Sequence, residues 1–302
     1  VLANERDVYI PPLGKGILPQ EAAKHHEKVK ENVLSRALQT SNLEIENVDV
    51  IAYSAGPGLP PPLIVTANFT TELSKKYRKP LVKVNHCCAH LEIGKLTTSA
   101  RDPVFVYLSG GNTQIISFVE GRYRIFGETE DISLGNLLDV VAREMQLKAP
   151  GGPEIEKLAK SGKYVELPYV VKGMDVSFAG IQTAAINLLK KGIAKEDIAY
   201  SLQEVCFAMI VEVTERALAH TGKKEVLLVG GVASNKRLQE MMEKMCKERG
   251  ASFYVVSKDY SGDNGVMIAW NGLLAYKSGW KPTFKDKIKP RWRIDEVNIT
   301  WV

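Results

Sequence analysis

Lys83-Val84-Asn85-His86-Cys87-Cys88-Ala89-His90-Leu91-Glu92-Ile93-Gly94 is the stretch from which the chain is best read. The apolar run from Pro80 to Val84 predicts a buried strand, and the residues after it predict a helix that starts at the histidines. Positions i and i+4 share one helical face, so both imidazoles can reach a single metal ion. Two ordinary polar residues at a strand–helix junction would give the same spacing. The motif alone leaves both readings open, and the rest of the chain has to separate them.

With 302 residues there is room for two domains and a large buried core. Hydrophobic content of 45% and charged content of 25% are those of an ordinary globular protein. No apolar run of about 18 residues predicts a membrane span, and no secretory pattern opens the sequence. The first residue is Val1 rather than Met, so a segment is expected upstream. Cys87, Cys88, Cys206 and Cys246 form neither a CxxC knuckle nor a disulfide framework, which points to a reducing, cytoplasmic setting. A net charge of +5, from 40 basic and 35 acidic residues, permits a nucleic-acid partner without demanding one.

Taken in order, Val1 to Tyr9 alternates weakly and reads as a strand ended by Pro11 and Pro12. Gln20 to Gln39 has helical apolar spacing through Ala23, Val29, Val33, Leu34 and Leu38. Val48 to Tyr53 reads as a strand, about Leu63 to Tyr77 as a helix, then come the strand at Leu81 and the histidine helix. From Pro103 the order begins again. Strands are predicted at 103–108, 114–119 and 123–127 and a helix at about 132–147. An irregular insertion covers about 148–197. It is followed by a helix at 199–220, a strand at 226–229, a helix at 235–248, a strand at 253–256 and a last helix at 265–276.

The halves match if two strands precede Val1. This internal repeat predicts an α/β protein of two lobes, 1–101 and 102–278, facing each other across a cleft, with the arm 279–302 joining the first lobe. A ligand would sit between them, against turns at strand ends.

Three glycine turns fall where such a ligand would be. Ser109-Gly110-Gly111-Asn112 joins two strands and exposes consecutive backbone N–H groups that suit a phosphate, although a plain hairpin turn reads the same way. Gly230-Gly231-Val232-Ala233-Ser234-Asn235 lies between a strand and a helix, where backbone often approaches a nucleotide or simply turns. Pro150-Gly151-Gly152-Pro153 precedes a helix in which Glu156 faces the cleft or solvent. Asp263 opens the last helix. Such an Asp is more often an N-cap than a ligand, but with two histidines it would complete a mixed nitrogen and oxygen set suited to iron or zinc. Finally, Lys281, Lys285, Lys287, Lys289, Arg291 and Arg293 are interleaved with Phe284 and Trp292. That mixture suits a single-stranded nucleic-acid loop, and equally a solvated arm folded back on the first lobe.

His86-x3-His90 after Val-Asn, Tyr107-Leu-Ser-Gly-Gly-Asn-Thr-Gln114, Pro150-Gly-Gly-Pro153, Gly230-Gly-Val-Ala-Ser-Asn235 and Asp263-Asn-Gly265 occur in one order along the chain. In this the sequence resembles the TsaD/Kae/OSGEP family in its archaeal–eukaryotic branch, the catalytic subunit of the KEOPS complex, over essentially its whole length. The resemblance implies a duplicated actin-like, sugar-kinase-like ATPase fold around a central nucleotide and metal cleft. It implies transfer of threonylcarbamoyl from threonylcarbamoyl-adenylate to the exocyclic amine of the adenosine 3′ of the tRNA anticodon. It assigns a divalent iron or zinc to His86, His90, Asp263 and Tyr107. Ser109, Gly110, Gly111 and Asn112 would meet phosphates, Asp139 and Gly152 the ribose, and Glu156 and Asn235 the ribose or adenine. Lys285, Lys287, Lys289, Arg291 and Arg293 are then candidate tRNA contacts. The implied partners are tRNA and KEOPS-type subunits, including a small atypical kinase/ATPase, with no membrane.

The sequence departs from the family at Gly16-Ile17-Leu18-Pro19, where the usual pattern is Gly-Ile-His-Pro. Older usage called the family an endopeptidase, but HExxH proteases place a Glu after the first His, and here that position is Cys87. A sugar kinase of the same fold would leave the paired histidines without a purpose. The remaining alternative is a non-catalytic or ATP-binding scaffold of a kinase-containing complex.

Overall fold

The computed structural model describes residues 1–12 and 16–301. The second half builds a five-stranded sheet. Strands β3 (Val104–Leu108), β4 (Thr113–Val119) and β5 (Arg122–Glu128) are antiparallel neighbours, and β8 (Glu225–Val229) and β9 (Ser252–Val255) continue from β3 in parallel, giving the order β5-β4-β3-β8-β9. Val106 stands opposite Ile115 on one side and Leu228 on the other. Every side chain of β3 is buried, as its unbroken apolar run predicts for a central strand covered on both faces.

Helices supply the covers. On one face lies α7 (Lys195–Thr221), whose apolar residues surround it as in a helix with little solvent face. Around it stand α4 (Leu134–Glu144), α5 (Gly151–Ala159), α6 (Ala179–Lys190) and α8 (Lys236–Glu248). The segment expected to be an irregular insertion is therefore ordered, with α5, a small hairpin of β6 (Val171–Lys172) and β7 (Asp175–Val176), and α6. Its short strands lack the alternation that would have announced them. Asp131 fixes the entry to α6 by accepting from the Ser177 hydroxyl and from the N–H groups of Phe178 (2.8 Å) and Ala179 (3.0 Å), which hold its carboxyl down at about 2 against the effect of burial.

The first half forms a parallel pair, β1 (Ile51–Gly56) with β2 (Leu81–Asn85), packed by α1 (Pro19–Ser41) and α2 (Pro60–Tyr77). The strand expected at Val1 to Tyr9 does not form. Those residues run irregularly along α1, where Asp7 meets His25 at 3.0 Å and Glu5 meets Arg36 at 3.6 Å.

Helix α3 (His86–Thr97) lies between the two sheets. It comes close to β8 because Gly94 has no side chain: a Cβ there would stand 2.7 Å from Val229 Cγ1. After the short α9 (Lys258–Ser261), helix α10 (Gly265–Lys277) leaves the second lobe and packs on β1, β2 and α3, with Gly272 against Ala52.

The C-terminal arm then crosses the first sheet. Lys289 N–H donates to Ala55 O (2.7 Å), Gly58 N–H to Pro290 O (3.1 Å) and the Tyr53 hydroxyl to Lys287 O (2.6 Å). Gly56, at φ 142°, is where the arm passes closest, and a Cβ would fall 2.0 Å from Lys289 O. Trp292 is 3% exposed, stacked on Trp280 and edge-on to Phe284, so the aromatic side chains of this arm serve its own packing.

A Cβ at Gly272 would lie 2.4 Å from Ala52 Cβ, between a helix and a strand that cannot both yield. Gly272→Val is expected to lower unfolding free energy by about 1–3 kcal/mol in urea titration, and unchanged stability would contradict this packing.

Candidate metal and nucleotide cleft

The histidines owe their position to Asn85. Its Oδ1 accepts from Cys88 N–H at 3.0 Å and caps α3, so His86 is the first helical residue and His90 follows one turn later. Both Nε2 atoms approach one oxygen, Asp263 Oδ1, at 3.3 Å and 3.2 Å, with ring centroids 4.9 Å apart. Asp263 is free to do this because its neighbour performs the capping. Asn264 Oδ1 accepts from Met267 N–H at 2.9 Å, while its amide donates to Gly262 O. The cap that sequence preference gives to the Asp is thus made by the next residue.

One donor atom from each of His86, His90 and Asp263 lies within 4.8 Å of the others. Two imidazoles and a carboxylate form a set that suits iron or zinc. The fit extends to the buried ring of His90, which Tyr107 covers at 5.1 Å between centroids. His90 Nδ1 is buried without a partner, so packing rather than a second hydrogen bond orients this ring. The Tyr107 hydroxyl accepts from Asn112 Nδ2 at 3.5 Å, which links the histidine site to the glycine turn.

Charge is unevenly shared. Burial pulls both imidazoles down. At His86 the Asp263 carboxylate outweighs it and the pKa is raised, whereas at His90 burial prevails and the pKa is lowered. Burial would raise the carboxyl of Asp263, but the two imidazoles hold it well below the usual carboxylate range. The Asp263 side chain is 78% exposed, and the two adjacent imidazoles govern it.

A cleft of about 230 Å³ adjoins the turn, lined among others by Gly110, Asp139, Gly152, Glu156, Gly231 and Asn235. Within the turn, Ser109 Oγ accepts from the N–H groups of Asn112 (3.0 Å) and Gly111 (3.3 Å), so two of the N–H groups expected to face a phosphate are gathered on a hydroxyl. A Cβ at Gly110 or Gly111 would meet no protein atom within 4 Å. The fold does not need glycine there, and the space beside the turn is open. Gly135 is the opposite case. A Cβ there would stand 2.4 Å from Ser109 O, and its absence lets α4 press against the turn. Ser133, which caps α4, donates to Gly110 O at 2.6 Å.

Asp139 Oδ1 accepts from Gly151 N–H at 2.7 Å, and Glu156 Oε1 accepts from Lys236 N–H at 2.8 Å, which leaves each carboxylate a second oxygen. Asn235 differs. Its Oδ1 caps α8 through Leu238 N–H (3.1 Å) and its amide donates to Gln203 Oε1 (2.7 Å), so this side chain is held as a wall of the cleft by two bonds within the protein. Sequence reasoning missed Ser133, Gly135 and Gln203. A glycine in the first turn of a helix was a legible signal for Gly135; nothing marked Gln203.

Of the basic arm, Lys289 pairs with Glu296, Arg293 with Glu128 (3.0 Å) and Asp295 (3.3 Å), and Lys287 donates to Asn68 (2.7 Å). Lys285 and Arg291 are exposed and have no ion pair among the described residues.

Because His86 is raised by Asp263, it contributes stability that is full below about pH 6.5 and is lost as pH rises through its folded value. In metal-free Asp263→Asn, the His86 imidazole is expected to titrate lower than in wild type by NMR, and this part of the pH dependence of stability should vanish. An unmoved His86 titration would contradict the coupling.

The profile of the TsaD family, described as tRNA N6-adenosine threonylcarbamoyltransferase, matches residues 1–270. A protein of Archaeoglobus fulgidus named tRNA N6-adenosine threonylcarbamoyltransferase is 54% identical over 303 residues, covering 100% of this chain and 93% of its own. A Methanosarcina acetivorans protein named probable bifunctional tRNA threonylcarbamoyladenosine biosynthesis protein is 54% identical over 307 residues. There the match covers 100% of this chain and 56% of the relative. Among solved structures, HypF of T. kodakarensis aligns with a TM-score of 0.64 at 17% identity, covering 84% of this chain and 43% of that one. The Acidaminococcus fermentans (R)-2-hydroxyglutaryl-CoA dehydratase component A aligns at 0.51 and 15%, covering 82% and 83%. At these identities the likeness speaks to fold alone, a two-lobed actin-like architecture. By sequence along nearly all its length, the chain belongs to the TsaD family of tRNA N6-adenosine threonylcarbamoyltransferases.

Proposed function

We propose that this chain transfers a threonylcarbamoyl group from threonylcarbamoyl-adenylate to the exocyclic amine of the adenosine 3′ of a tRNA anticodon. Family membership supports the reaction class, and one observation carries the reading to this site. The convergence of His86, His90 and Asp263 is joined, through Tyr107 and Asn112, to the glycine turn of an open cleft.

The substrate is a mixed anhydride. The amine attacks the acyl carbon, the bond from that carbon to the phosphate oxygen breaks, AMP leaves and the amine loses a proton. AMP is a good leaving group, so the protein's part is chiefly positioning and charge neutralisation. The free oxygens of Asp139 and Glu156 are placed to accept from ribose hydroxyls, and Gly152 leaves room for the sugar. Gly110 and Gly111 leave room for the phosphate beside Asn112. Held by His86, His90 and Asp263 with Tyr107 alongside, iron or zinc would supply Lewis acidity at the acyl–phosphate end.

We assign the lobes to 1–101 with the arm from 279, and to 102–278, with α10 reaching across. The setting we infer is cytoplasmic, with tRNA and KEOPS-type partner subunits that include a small atypical kinase/ATPase. No helix among the described residues is long and apolar enough to cross a membrane.

The test combines metal-loaded protein, threonylcarbamoyl-adenylate, unmodified tRNA and partner subunits, followed by nucleoside mass analysis. Threonylcarbamoyl-adenosine is expected, with loss of about 100-fold or more in His86→Ala and Asp263→Ala. No product under these conditions would sink the reading.

For the tRNA surface, Lys285 and Arg291 are the residues we place on phosphates. Lys285→Ala and Arg291→Ala should each flatten the log–log salt dependence of tRNA binding by about 0.7–1. Lys289→Ala and Arg293→Ala should act through stability, because those side chains are ion-paired. Equal salt slopes in all four variants would reject this surface.

A further inference from the structure

Helix α3 presents His86 and His90 to the cleft, which leaves the question of what holds its other side. Glu92 follows His90 by two residues, so it projects roughly 200° around the axis. Its side chain is 4% exposed. Oε1 accepts from the Tyr123 hydroxyl at 2.6 Å and from Trp301 Nε1 at 2.9 Å, while Lys95 Nζ stands 3.9 Å from Oε2. Tyr123 is buried on β5 of the second lobe, and Trp301 lies far along the C-terminal arm, edge-on to Trp280 at 5.7 Å.

The same arm also holds the start of the helix. Trp292 O accepts from Asn85 Nδ2 at 3.1 Å, and Asn85 Oδ1 is the cap that sets His86 at the first helical position. Between these clasps the arm is pinned to the second lobe, by Arg293 on Glu128 and by Ile299 N–H donating to Gly121 O at 3.1 Å. One strap therefore grips the histidine helix on either side of both imidazoles. A buried carboxylate is an expensive way to fill space, and an aliphatic side chain would pack at least as well. What the carboxylate adds is direction, because two donors from separate elements meet on one oxygen.

We propose that Glu92 and Trp301 are positioning residues that register α3, so that docking of the C-terminal arm and assembly of the His86–His90–Asp263 site are coupled. The inference rests on the reading of those three residues as metal ligands. Trp301→Phe removes the indole N–H while keeping an aromatic ring. Glu92→Leu removes the acceptor, and Glu92→Gln keeps an Oε1 acceptor. The coupling is reciprocal, so a metal bound at the front of the helix also tightens the Trp301 contact at its back.

The experiment uses the full chain, with cobalt(II) as the probe ion read by its visible absorption, and with imidazole nitrogen spectra of the metal-free protein. Trp301→Phe and Glu92→Leu are expected to weaken cobalt affinity about tenfold, with Glu92→Gln within about threefold of wild type. In metal-free Trp301→Phe the resonances of His86 and His90 should move while those of His25, His26 and His220 stay. Wild-type cobalt affinity together with unmoved His86 and His90 resonances in Trp301→Phe overturns the proposal, whether or not Glu92→Leu folds. If the wild type binds no cobalt, the metal reading fails alone. The imidazole spectra then decide the positioning claim, upheld by movement and overturned by none.

Discussion

Every residue of α3 from Cys87 to Gly94 is buried, because the helix is wedged between two sheets. A helix so placed has almost no solvent face on which to leave a polar group, and an unpaired polar group in an interior is costly. The polar side chains on this stretch are therefore answered mostly from elsewhere in the chain, with His90 Nδ1 the exception. Asp263 answers the imidazoles, Tyr123 and Trp301 answer Glu92, and the Cys88 N–H and Trp292 carbonyl answer Asn85. Those answers come from α10's entry, from β5 and from the C-terminal arm. Burying one helix thus fixes the relation of three distant segments, and the small residues Cys87, Cys88, Ala89 and Gly94 are what make the burial feasible.

The glycines divide by the same logic. At Gly56, Gly94, Gly135, Gly230 and Gly272, an added Cβ would strike protein atoms, backbone at three of them, so the fold itself requires the missing side chain. At Gly110, Gly111 and Gly231 a Cβ would meet nothing, and at Gly152 its nearest neighbour is 4.0 Å away. Neither strain nor crowding explains that second group. All four lie along the cleft or its turn, where an added methyl would intrude on whatever occupies the space. The distinction separates residues that let elements pack closely from residues that keep the cleft open.

The sequence made most of this architecture legible where the signal was local. The unbroken run of β3, the period of α8 and the strand–helix step at His86 each depend on neighbours within a few residues. Failures came where partners were distant or absent. Val1 to Tyr9 alternates as a strand should, yet β1 pairs only with β2 among the described residues, and the segment settles on α1. Phe284 and Trp292 have the composition of a base-stacking arm, but burial is decided by Trp280 and the first sheet, which no window of sequence contains. Glu92 gave no signal because its partners lie 31 and 209 positions away. The choice between Asp263 and Asn264 as cap was invisible for a subtler reason. Both residues can cap, and only the site's need for a free carboxylate separates them.

At the histidine pair the Asp263 carboxylate raises one imidazole while burial keeps the other lowered, so the two rings meet one oxygen on unequal terms. A metal ligand must be a neutral imidazole, so an ion held here would compete with protonation of His86. The same oxygen that now accepts from both rings would then face a cation, with little rearrangement asked of the helix that carries them. In the reading proposed above, the two rings and the carboxylate already converge where an ion would be held. A close packing of α3 on its rear face is the condition under which such an exchange leaves the rings where they are.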